Sequence, residues 1–373
     1  MIWIVQKKIP HYREDFFVLL NTILKNVVII HSSILQSDSL VTNTKFDFCN
    51  ILVKIINTPF GYYQPIAYKF LKEKPKYVVL GLELKILSNY IIWFLSLFTK
   101  TKLVWWTHGY NVHIINSGFR FYIDRIIKTL LMKQCYAVLL YTKYKNDELI
   151  AWGVDRNKIV VLNNALNEQP LYESFMNTLK NSDHSDIVNS KSKNNNSSLT
   201  LTFVGRLVES KKVHKLLQLV NILKYKIPNL RLYIIGDGDR RLYLENCAKE
   251  MNLTDCVFFT GTIQDPNELA KYMLITDFTV YTGTVGLAIV HSFIYGIPFL
   301  ALEGKGHSPE ISYLENNKNG YMAKNLDDMA DWILNAYCNP QLIGKMKREC
   351  RQLIINEVNI KNMVSNFISV FKE

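Results

Sequence analysis

Short apolar runs rich in β-branched and aromatic residues recur along this chain of 373 residues, with stretches of helical period between them. Five runs lie in the first half and five in the second: 27–33, 77–82, 102–109, 137–142 and 158–164, then 199–205, 231–236, 257–261, 278–283 and 298–304. Strands that alternate with helices are typical of a parallel sheet with helices on both faces. Since the alternation stops near Leu166 and restarts at Leu199, the sequence predicts two doubly wound α/β domains.

The domain boundaries follow from the interruption. We place an N-terminal domain at residues 1–165, a linker or mobile loop at 166–198, a C-terminal domain at 199–350, and a final helix at 351–373 that crosses back to the first domain. Ligands of open α/β sheets bind outside the carboxyl ends of the strands. We therefore expect the two sheets to face a central cleft that holds the substrates.

Charge is distributed unevenly over the two halves. The whole chain carries a formal charge of +12, and residues 1–165 hold 21 Lys and Arg against 10 Asp and Glu, a net +11. The remaining residues hold 23 against 22, a net +1. A positive electrostatic field suits an anionic partner, and we expect that partner to bind the first half of the chain.

The cysteines and the N-terminus indicate a cytoplasmic location. Six cysteines are scattered without a C-x-x-C pair, which favours free thiols in a reducing compartment. The start, MIWIVQKKIP, carries its charges after the apolar run, so it reads as a buried strand and not as a signal peptide. No apolar stretch approaches the roughly 18–20 residues that span a bilayer.

The motif FVGRL, followed by two lysines, is the strongest chemical signal. Gly205 allows a turn after a strand, and Arg206 and Lys211 then project from the loop. Arginine offers a bidentate fork and lysine a point charge, which together suit a diphosphate. The alternative is a pair of solvated basic residues at a helix start, where cations are mildly unfavourable.

A second glycine-rich turn follows a later strand, in YTGTVGLAIVHSFIYGIP (281–298). Gly283 and Gly286 free the turn, and N–H groups at the helix start would be available to an anion. His291, one helical turn further, could reach a ribose or a phosphate. The alternative is an ordinary helix entry with a core histidine. The amides in question belong to Val285, Gly286 and Leu287.

Together these motifs resemble the nucleotide-binding domain of retaining glycosyltransferases of the GT-B fold, family 4 (group 1), of the type found in bacterial polysaccharide biosynthesis. The resemblance covers roughly residues 200–340, through FVGRL, YIIGDGD, VFFTG, the stretch 278–298 and PEI…NKNGYM, and is looser in the first half. It implies a nucleotide-sugar donor on the second domain and an acceptor on the first. The implied donor-binding residues are Gly205, Gly236, Ile263, Gly283, Thr284, Val285, Gly286, Leu287, His291 and Glu310, with His108, Arg206 and Lys211 as the catalytic ones.

One departure from the family pattern concerns its acidic residues. The family usually has two glutamates eight positions apart, and Gly283 and His291 occupy those positions here. Glu310 is a candidate replacement carboxylate, or else only an acid at a helix N-terminus. The D-x-D formed by Asp237 and Asp239 resembles a metal–diphosphate motif of another fold, and we interpret Asp237 as shaping its loop. No metal or other cofactor is expected, because the two basic residues would neutralise the leaving diphosphate.

Three residues of the first domain are candidates for substrate contacts. His108 ends a strand in WTHG and could touch the donor sugar or the acceptor hydroxyl, although a simple turn histidine is equally consistent. Tyr12 and Arg13 lie in the first strand–helix turn. Arg13 could bind an acceptor phosphate or could merely start a helix.

The stretch 118–133 predicts docking on an anionic membrane surface. It places Arg120, Arg125, Lys128 and Lys133 around an apolar face, and an aromatic cluster lies nearby at 90–98. The alternative is an amphipathic helix with a solvated basic face. The first half's positive charge favours the membrane.

The sequence thus predicts a sugar transferase that acts with retention in surface polysaccharide (O-antigen, capsule or lipopolysaccharide) biosynthesis. It would use a saccharide or lipid-linked saccharide acceptor and lie on the inner face of a bacterial plasma membrane. A nucleotide-sugar 2-epimerase, a catalytically inactive sugar-nucleotide-binding subunit and a nucleic-acid binder are the alternatives. The last lacks a visible stacking or reader motif.

Overall fold

The computed structural model describes residues 1–32, 46–109, 119–181 and 198–371, with only the backbone of 119–121. These residues form two compact units. The first comprises Met1–Asn167 together with Ile360–Glu373, and the second comprises Glu168–Asn359.

The first unit is built on a parallel sheet of seven strands in the order β3-β2-β1-β6-β7-β8-β9. Its strands read as unbroken apolar runs because both faces of the sheet are covered. A small antiparallel hairpin, β4 and β5, stands apart from it. The bounds are β1 (Ile2–Val5), β2 (Val27–Ser32), β3 (Asn50–Val53), β4 (Ile56–Thr58), β5 (Gly61–Tyr63), β6 (Tyr77–Gly81), β7 (Lys102–Thr107), β8 (Ala137–Leu140) and β9 (Ile159–Val161).

The helices of the first unit are mostly short and amphipathic. They are α1 (Glu14–Ile23), α2 (Ala67–Glu73), α3 (Leu87–Ser96), α4 (Phe119–Gln134) and α5 (Asn146–Ala151). Within the ranges described, no helix combines the length and the apolar character needed to cross a bilayer.

The second unit contains a parallel sheet of six strands in the order β12-β11-β10-β13-β14-β15. Both sheets therefore have the Rossmann order, in which the direction of strand addition reverses once. In this unit the reversal lies between β10 and β13. The bounds are β10 (Thr200–Val204), β11 (Arg231–Ile235), β12 (Val257–Gly261), β13 (Phe278–Tyr281), β14 (Phe299–Leu302) and β15 (Gly320–Ala323).

Eight helices are described in this part of the chain. They are α6 (Glu168–Lys180), α7 (Val213–Leu223), α8 (Arg241–Glu250), α9 (Pro266–Ile275), α10 (Ala288–Ile294), α11 (Leu326–Tyr337), α12 (Pro340–Asn356) and α13 (Ile360–Ser369). Of these, α13 belongs to the first unit and packs on α1 and β9.

Two predicted segments differ from the structure. The expected linker 166–198 contains α6, which packs on α9, with Leu171 and Phe175 joining an apolar cluster around Ile235 and Tyr295. Its overall polar composition hides these two residues, spaced by one helical turn. Residues 182–197 of that segment lie outside the described ranges. The expected helix 351–373 is in fact two, since α12 runs through the predicted boundary and only α13 returns to the first unit.

Candidate functional site

The carboxyl ends of β10 and β13 meet at the point where strand order reverses in the second unit. The loop after β10 carries Arg206 and Lys211, and the loop after β13 begins at Thr282. The structure therefore brings these two motifs together within this unit. A doubly wound sheet binds its ligands at such a point.

Three hydrogen bonds join these two loops. The Lys211 ammonium donates to the main-chain carbonyl of Thr284 at 2.6 Å. The Thr284 N–H donates to the Ser210 carbonyl at 2.9 Å, and the Thr282 hydroxyl donates to the Lys212 carbonyl at 2.9 Å. The backbone of the second loop is thus fixed by the first.

Gly283 lies at the tightest point between the loops. A Cβ at this position would stand 2.3 Å from the Ser210 carbonyl oxygen and 2.4 Å from that of Lys211, which no folded backbone tolerates. The glutamate that the family resemblance would place here is therefore not compatible with the packing of these two loops.

The prediction that the turn after β10 needs a glycine at position 205 is wrong. Its φ is not positive, and a Cβ would make ordinary contacts, the nearest 3.5 Å from the Tyr281 hydroxyl. The tight turn instead depends on Gly236, with φ +141° and a virtual Cβ 2.0 Å from the Gly205 carbonyl. Gly238 has the same relation to Leu207, at 2.4 Å.

The two cations are close enough to influence each other. Partial burial lowers the pKa of the Lys211 ammonium, and the positive charge of Arg206 lowers it further. The Arg206 side chain is exposed. An anion bound between two neighbouring cations stabilises them more than it would stabilise either cation alone, because it also offsets their mutual repulsion.

The N–H groups of the second loop differ from the prediction. The Val285 N–H is not available to a ligand, because it donates to Nδ1 of His307 at 3.2 Å. The Ser308 N–H donates to the Val285 carbonyl at 2.8 Å, so this residue is held on both sides. In the part of the chain that the structure describes, Gly286 and Leu287 have N–H groups without a partner.

His291 lies on α10, and its ring meets the Tyr295 ring edge-on at 5.2 Å between centroids. Burial lowers its pKa to about 4, so the imidazole is neutral at physiological pH. Among the residues described, the ring contact with Tyr295 is the interaction that this side chain makes, and its ring nitrogens have no hydrogen-bond partner. One nitrogen can therefore donate to a ligand hydroxyl while the other accepts.

The two remaining donor candidates are less accessible. Glu310 is only 2% exposed, in a short 3-10 helix (Pro309–Tyr313), so it does not offer a carboxylate to a ligand as placed here. Ile263 follows β12 and is half-buried against the cluster around Ile235.

Asp237 is engaged within its own loop. Its carboxylate accepts from the Gly238 N–H at 2.7 Å and from Arg241 at 2.9 Å, and these hydrogen bonds lower its pKa. Asp239 is exposed. Over residues 1–32, 46–109, 119–181 and 198–371, no three His, Cys, Asp or Glu side chains form a group suited to a metal ion.

In the first unit, Arg13 is buried and not presented to solvent. It is 5% exposed and donates to the Asn164 amide oxygen at 2.6 Å and to the Met363 sulfur at 3.2 Å. Trp106 and Tyr141 flank the guanidinium, with ring centroids 5.3 and 5.6 Å away. Arg13 therefore joins α13 to the sheet edge, and direct binding of an acceptor phosphate would require this packing to open.

His108 and Tyr12 lie at the same sheet edge as Arg13. The exposed His108 ring stacks on Tyr141, with centroids 3.8 Å apart and planes 10° apart. Tyr12 is half-buried, and its ring lies 5.6 Å from the Arg13 guanidinium. The carboxyl ends of β1, β7 and β8 bring these residues together.

The basic face predicted on α4 is partly neutralised. Arg125 pairs with Glu148 at 2.8 Å and lies over the Trp152 ring, and Lys128 pairs with Asp124 at 3.0 Å while buried. The Arg120 side chain lies outside the described residues, and Lys133 is exposed.

Several apolar side chains of α4 and of α3 are exposed to solvent. They are Tyr122, Ile123, Ile126 and Leu130 on α4, and Ile91 and Phe94 on α3, followed by Leu97 and Phe98.

Sequence reasoning missed His307 and Ser210, which shape the loops of the second unit. Ser210 acts through its main-chain carbonyl, so its side chain gives no signal. A histidine next to Ser-Pro-Glu soon after a strand is the one pattern that could have indicated His307.

Comparison with known proteins independently supports the family resemblance seen in the sequence. The family described as "Glycosyl transferases group 1" matches residues 185–353. A poly(ribitol-phosphate) alpha-N-acetylglucosaminyltransferase of Staphylococcus aureus (strain COL) is 26% identical over 171 residues, 45% of this chain and 34% of that enzyme. The chain spans less than half the length of the first curated relatives it matches.

Solved structures match almost the whole chain. Anabaena HepE in complex with UDP has a TM-score of 0.71 at 12% identity, over 99% of this chain and 98% of that one. The lipopolysaccharide outer core galactosyltransferase WaaB in its apo form has a TM-score of 0.68 at 11% identity, over 99% of both chains. At this identity the likeness concerns the fold, which is the GT-B fold expected from the sequence.

Proposed function

We propose that this chain, whose residues 185–353 match the family of group 1 glycosyl transferases, moves a sugar from a nucleotide diphosphate to a saccharide acceptor. The observation that carries the proposal is the pair of cations, Arg206 and Lys211, beside the fixed loop after β13. HepE was solved with UDP, which makes uridine diphosphate the first nucleotide to test.

The donor diphosphate would lie between the cations and the amides of Gly286 and Leu287. When the bond to the sugar breaks, negative charge grows on the diphosphate, and fixed positive groups stabilise that charge more than the ground state. Arg206 and Lys211 would thus increase turnover as well as affinity. His291 would bond a ribose hydroxyl as a neutral imidazole.

The reaction would retain the anomeric configuration of the sugar. A double displacement needs a carboxylate nucleophile beside the anomeric carbon. Position 283 is a glycine with no room for a carboxylate side chain, and the carboxylate of Glu310 is buried. Departure of the diphosphate followed by attack of the acceptor on the same face is the route that this arrangement favours. Because neither of these two positions offers a carboxylate, the arrangement also disfavours an epimerase, which needs acidic residues for proton transfer.

The acceptor would be part of a cell-surface glycan, as the names of the Staphylococcus enzyme and of WaaB suggest for those proteins. We extend the proposal to a lipid-linked acceptor and to docking on the inner face of the membrane. The exposed apolar residues of α3 and α4 support this extension. Phe94 is 53% exposed and Phe98 74%, and their rings lie 5.1 Å apart.

The proposal is tested by thermal shift with UDP, GDP and their sugar conjugates in metal-free buffer, on wild type and Arg206→Ala. A nucleotide at about 100 times its dissociation constant stabilises the fold by roughly 2.7 kcal/mol. We expect one nucleotide to shift the wild type and the variant to lose that shift. Lys226→Ala, which removes an exposed cation before β11 at the opposite edge of the sheet, is the matched control.

A transfer assay with the bound nucleotide sugar then separates an enzyme from an inactive binding subunit. Sugar release to an oligosaccharide or lipid-linked acceptor supports the proposal. Binding without transfer to any acceptor would instead indicate a catalytically inactive subunit that binds sugar nucleotides. If no nucleotide binds at all, both the transferase and the inactive subunit are refuted.

A further inference from the structure

His307 is buried, with 8% of its surface exposed, between the loops after β13 and β14. Both of its ring nitrogens are engaged by the backbone. Nε2 lies 3.0 Å from the Leu302 carbonyl at the end of β14, and Nδ1 lies 3.2 Å from the Val285 nitrogen. The ring therefore joins two strand ends of the sheet.

These two contacts fix the protonation state of the ring. A carbonyl only accepts, so Nε2 must carry a proton, and an N–H only donates, so Nδ1 must be bare. The neutral tautomer protonated at Nε2 satisfies both bonds. A second proton on Nδ1 would face the Val285 N–H and break that contact.

The loop held by His307 is the one on which Lys211 rests. Val285 directly follows Thr284, whose carbonyl accepts from the Lys211 ammonium and whose N–H donates to Ser210. The Ser308 N–H fixes the Val285 carbonyl. The segment 283–285 is thus held from the β10 side by one loop and from the β14 side by the other.

We propose that neutral His307 is a positioning residue of the donor site. Its Nδ1 accepts the hydrogen bond from the Val285 N–H, which would otherwise compete for the ligand. This bond holds the segment 283–287 so that Gly286 and Leu287 offer their amides beside Lys211. This inference rests on the proposed function, since it assigns those amides and that cation to the donor diphosphate.

The surroundings of the ring favour the neutral form. Burial lowers the pKa of His307, and the cations of Lys211 and Lys212, from the loop after β10, lower it further. Protonation in weak acid would break the bond to Val285. Nucleotide affinity should therefore fall as the pH decreases below the pKa of His307.

Two substitutions separate the two nitrogens. In His307→Asn the amide oxygen lies as many bonds from Cβ as Nδ1 does, so it can accept from Val285. In His307→Gln the amide nitrogen corresponds to Nε2, which keeps the bond to Leu302 and leaves the Val285 N–H unpaired. An unsatisfied buried donor costs on the order of 1–3 kcal/mol.

The experiment measures UDP affinity by calorimetry from pH 5 to 8 on wild type and both variants, with circular dichroism as the check on folding. We expect His307→Asn to bind within about threefold of wild type with a flatter pH profile, and His307→Gln to bind at least about tenfold more weakly. Equal affinities for the two variants, or an unchanged pH profile in His307→Asn, would overturn the proposal.

Nitrogen-15 spectra of the histidine rings in the wild-type chain give a readout that needs neither turnover nor a bound nucleotide. They should show one histidine fixed as the neutral Nε2–H tautomer at pH 7, and its signal should be missing in His307→Asn. The opposite tautomer, or averaging between the two, would refute the assignment. Failure of wild type to bind UDP or any other nucleotide of the thermal-shift panel would instead refute the proposed function, so the two failures are distinguishable.

Discussion

Gly283 approaches Ser210 so closely that a Cβ on the glycine would stand 2.3 Å from the serine carbonyl oxygen. The approach accompanies the hydrogen bond from the Thr284 N–H to that same carbonyl. At this point the backbone of the loop after β13 thus lies directly against the backbone of the loop after β10. A side chain at Gly283 and the present loop geometry exclude each other.

Gly283→Ala should destabilise the chain and weaken nucleotide binding, because the methyl group would push the two loops apart. Overpacking of this kind costs about 1–3 kcal/mol. Gly286→Ala is the matched control, since its Cβ would meet only the Ser308 hydroxyl at 3.6 Å. Chemical denaturation measures both variants. Equal stabilities would show that the loops are free to separate, and Gly283→Glu is not expected to restore a family-type carboxylate.

Lys211→Met should lower kcat more than it raises KM. The methionine keeps the apolar stem but removes the charge and the bond to the Thr284 carbonyl. Loss of one group that stabilises the transition state costs about 10²–10³ in rate. Steady-state transfer kinetics measure it, with Lys226→Met as the control of equal charge change. A rise in KM alone would assign Lys211 to ground-state binding.

The free energy of unfolding should fall as the pH decreases from 6.5 towards 4, and His291 should contribute. The folded chain binds this proton only near pH 4, whereas the unfolded chain binds it near 6.5, so unfolding takes up a proton in this window. One such group gives at most about 1.4 kcal/mol per pH unit. Urea titrations at several pH values on wild type and His291→Phe measure the slope. Identical slopes would show that His291 is solvated.

Chelation of divalent metals should leave nucleotide binding and transfer unchanged, since in the proposed site Arg206 and Lys211 would supply the positive charge beside the donor diphosphate. Asp237→Ala should likewise retain transfer without added metal, and any loss should appear as lower thermal stability, because its bonds to Gly238 and Arg241 shape the loop. Assays with EDTA and with added Mg²⁺ or Mn²⁺ measure this. If transfer instead requires a divalent metal and Asp237→Ala abolishes the effect of that metal, the D-x-D motif is a metal-binding site.

Replacing Phe94 and Phe98 with serine should reduce binding to vesicles, because these rings are the most exposed aromatics of α3 and its end. Flotation with phosphatidylglycerol vesicles measures the bound fraction. Tyr225→Ser, an 86% exposed aromatic of the second unit, is the control. Salt should weaken binding only partly, since Arg125 and Lys128 are already paired. Unchanged binding in the double variant would locate the contact elsewhere.

Most strands were predictable because a strand covered on both faces is an apolar run. Four strands escaped: β3 and β15 lie at sheet edges and are only partly buried, and β4 and β5 form the separate short hairpin. In β15 the run is GYMA after Asn-Lys-Asn, which has the composition of a turn. Helix α6 escaped for the related reason that its buried side is narrow: of its 13 residues Ser174 is the one that is buried, whereas the 11-residue α7 buries six apolar side chains.

The site was predictable at the level of residue types and strand ends. Arg206, Lys211 and the loop after β13 could be placed together because parallel strands end at one edge of a sheet. The pairing of individual amides was not predictable, since the partner of Val285 is 22 residues away and that of Thr284 is a backbone carbonyl. Burial of Arg13 and Glu310 depends on tertiary packing, which motif spacing does not encode.

Helix α6 also determines how the second unit can be produced alone. Leu171 and Phe175 cover part of the apolar cluster that includes Ile235, Met273 and Tyr295, and Ser174 bonds to Asn267 at 2.5 Å. A fragment that follows the family match, residues 185–353, would lack this helix and expose that cluster to water. Glu168–Asn359 is the stretch whose ends coincide with a complete core, and it is the fragment on which nucleotide binding by this half can be measured in isolation.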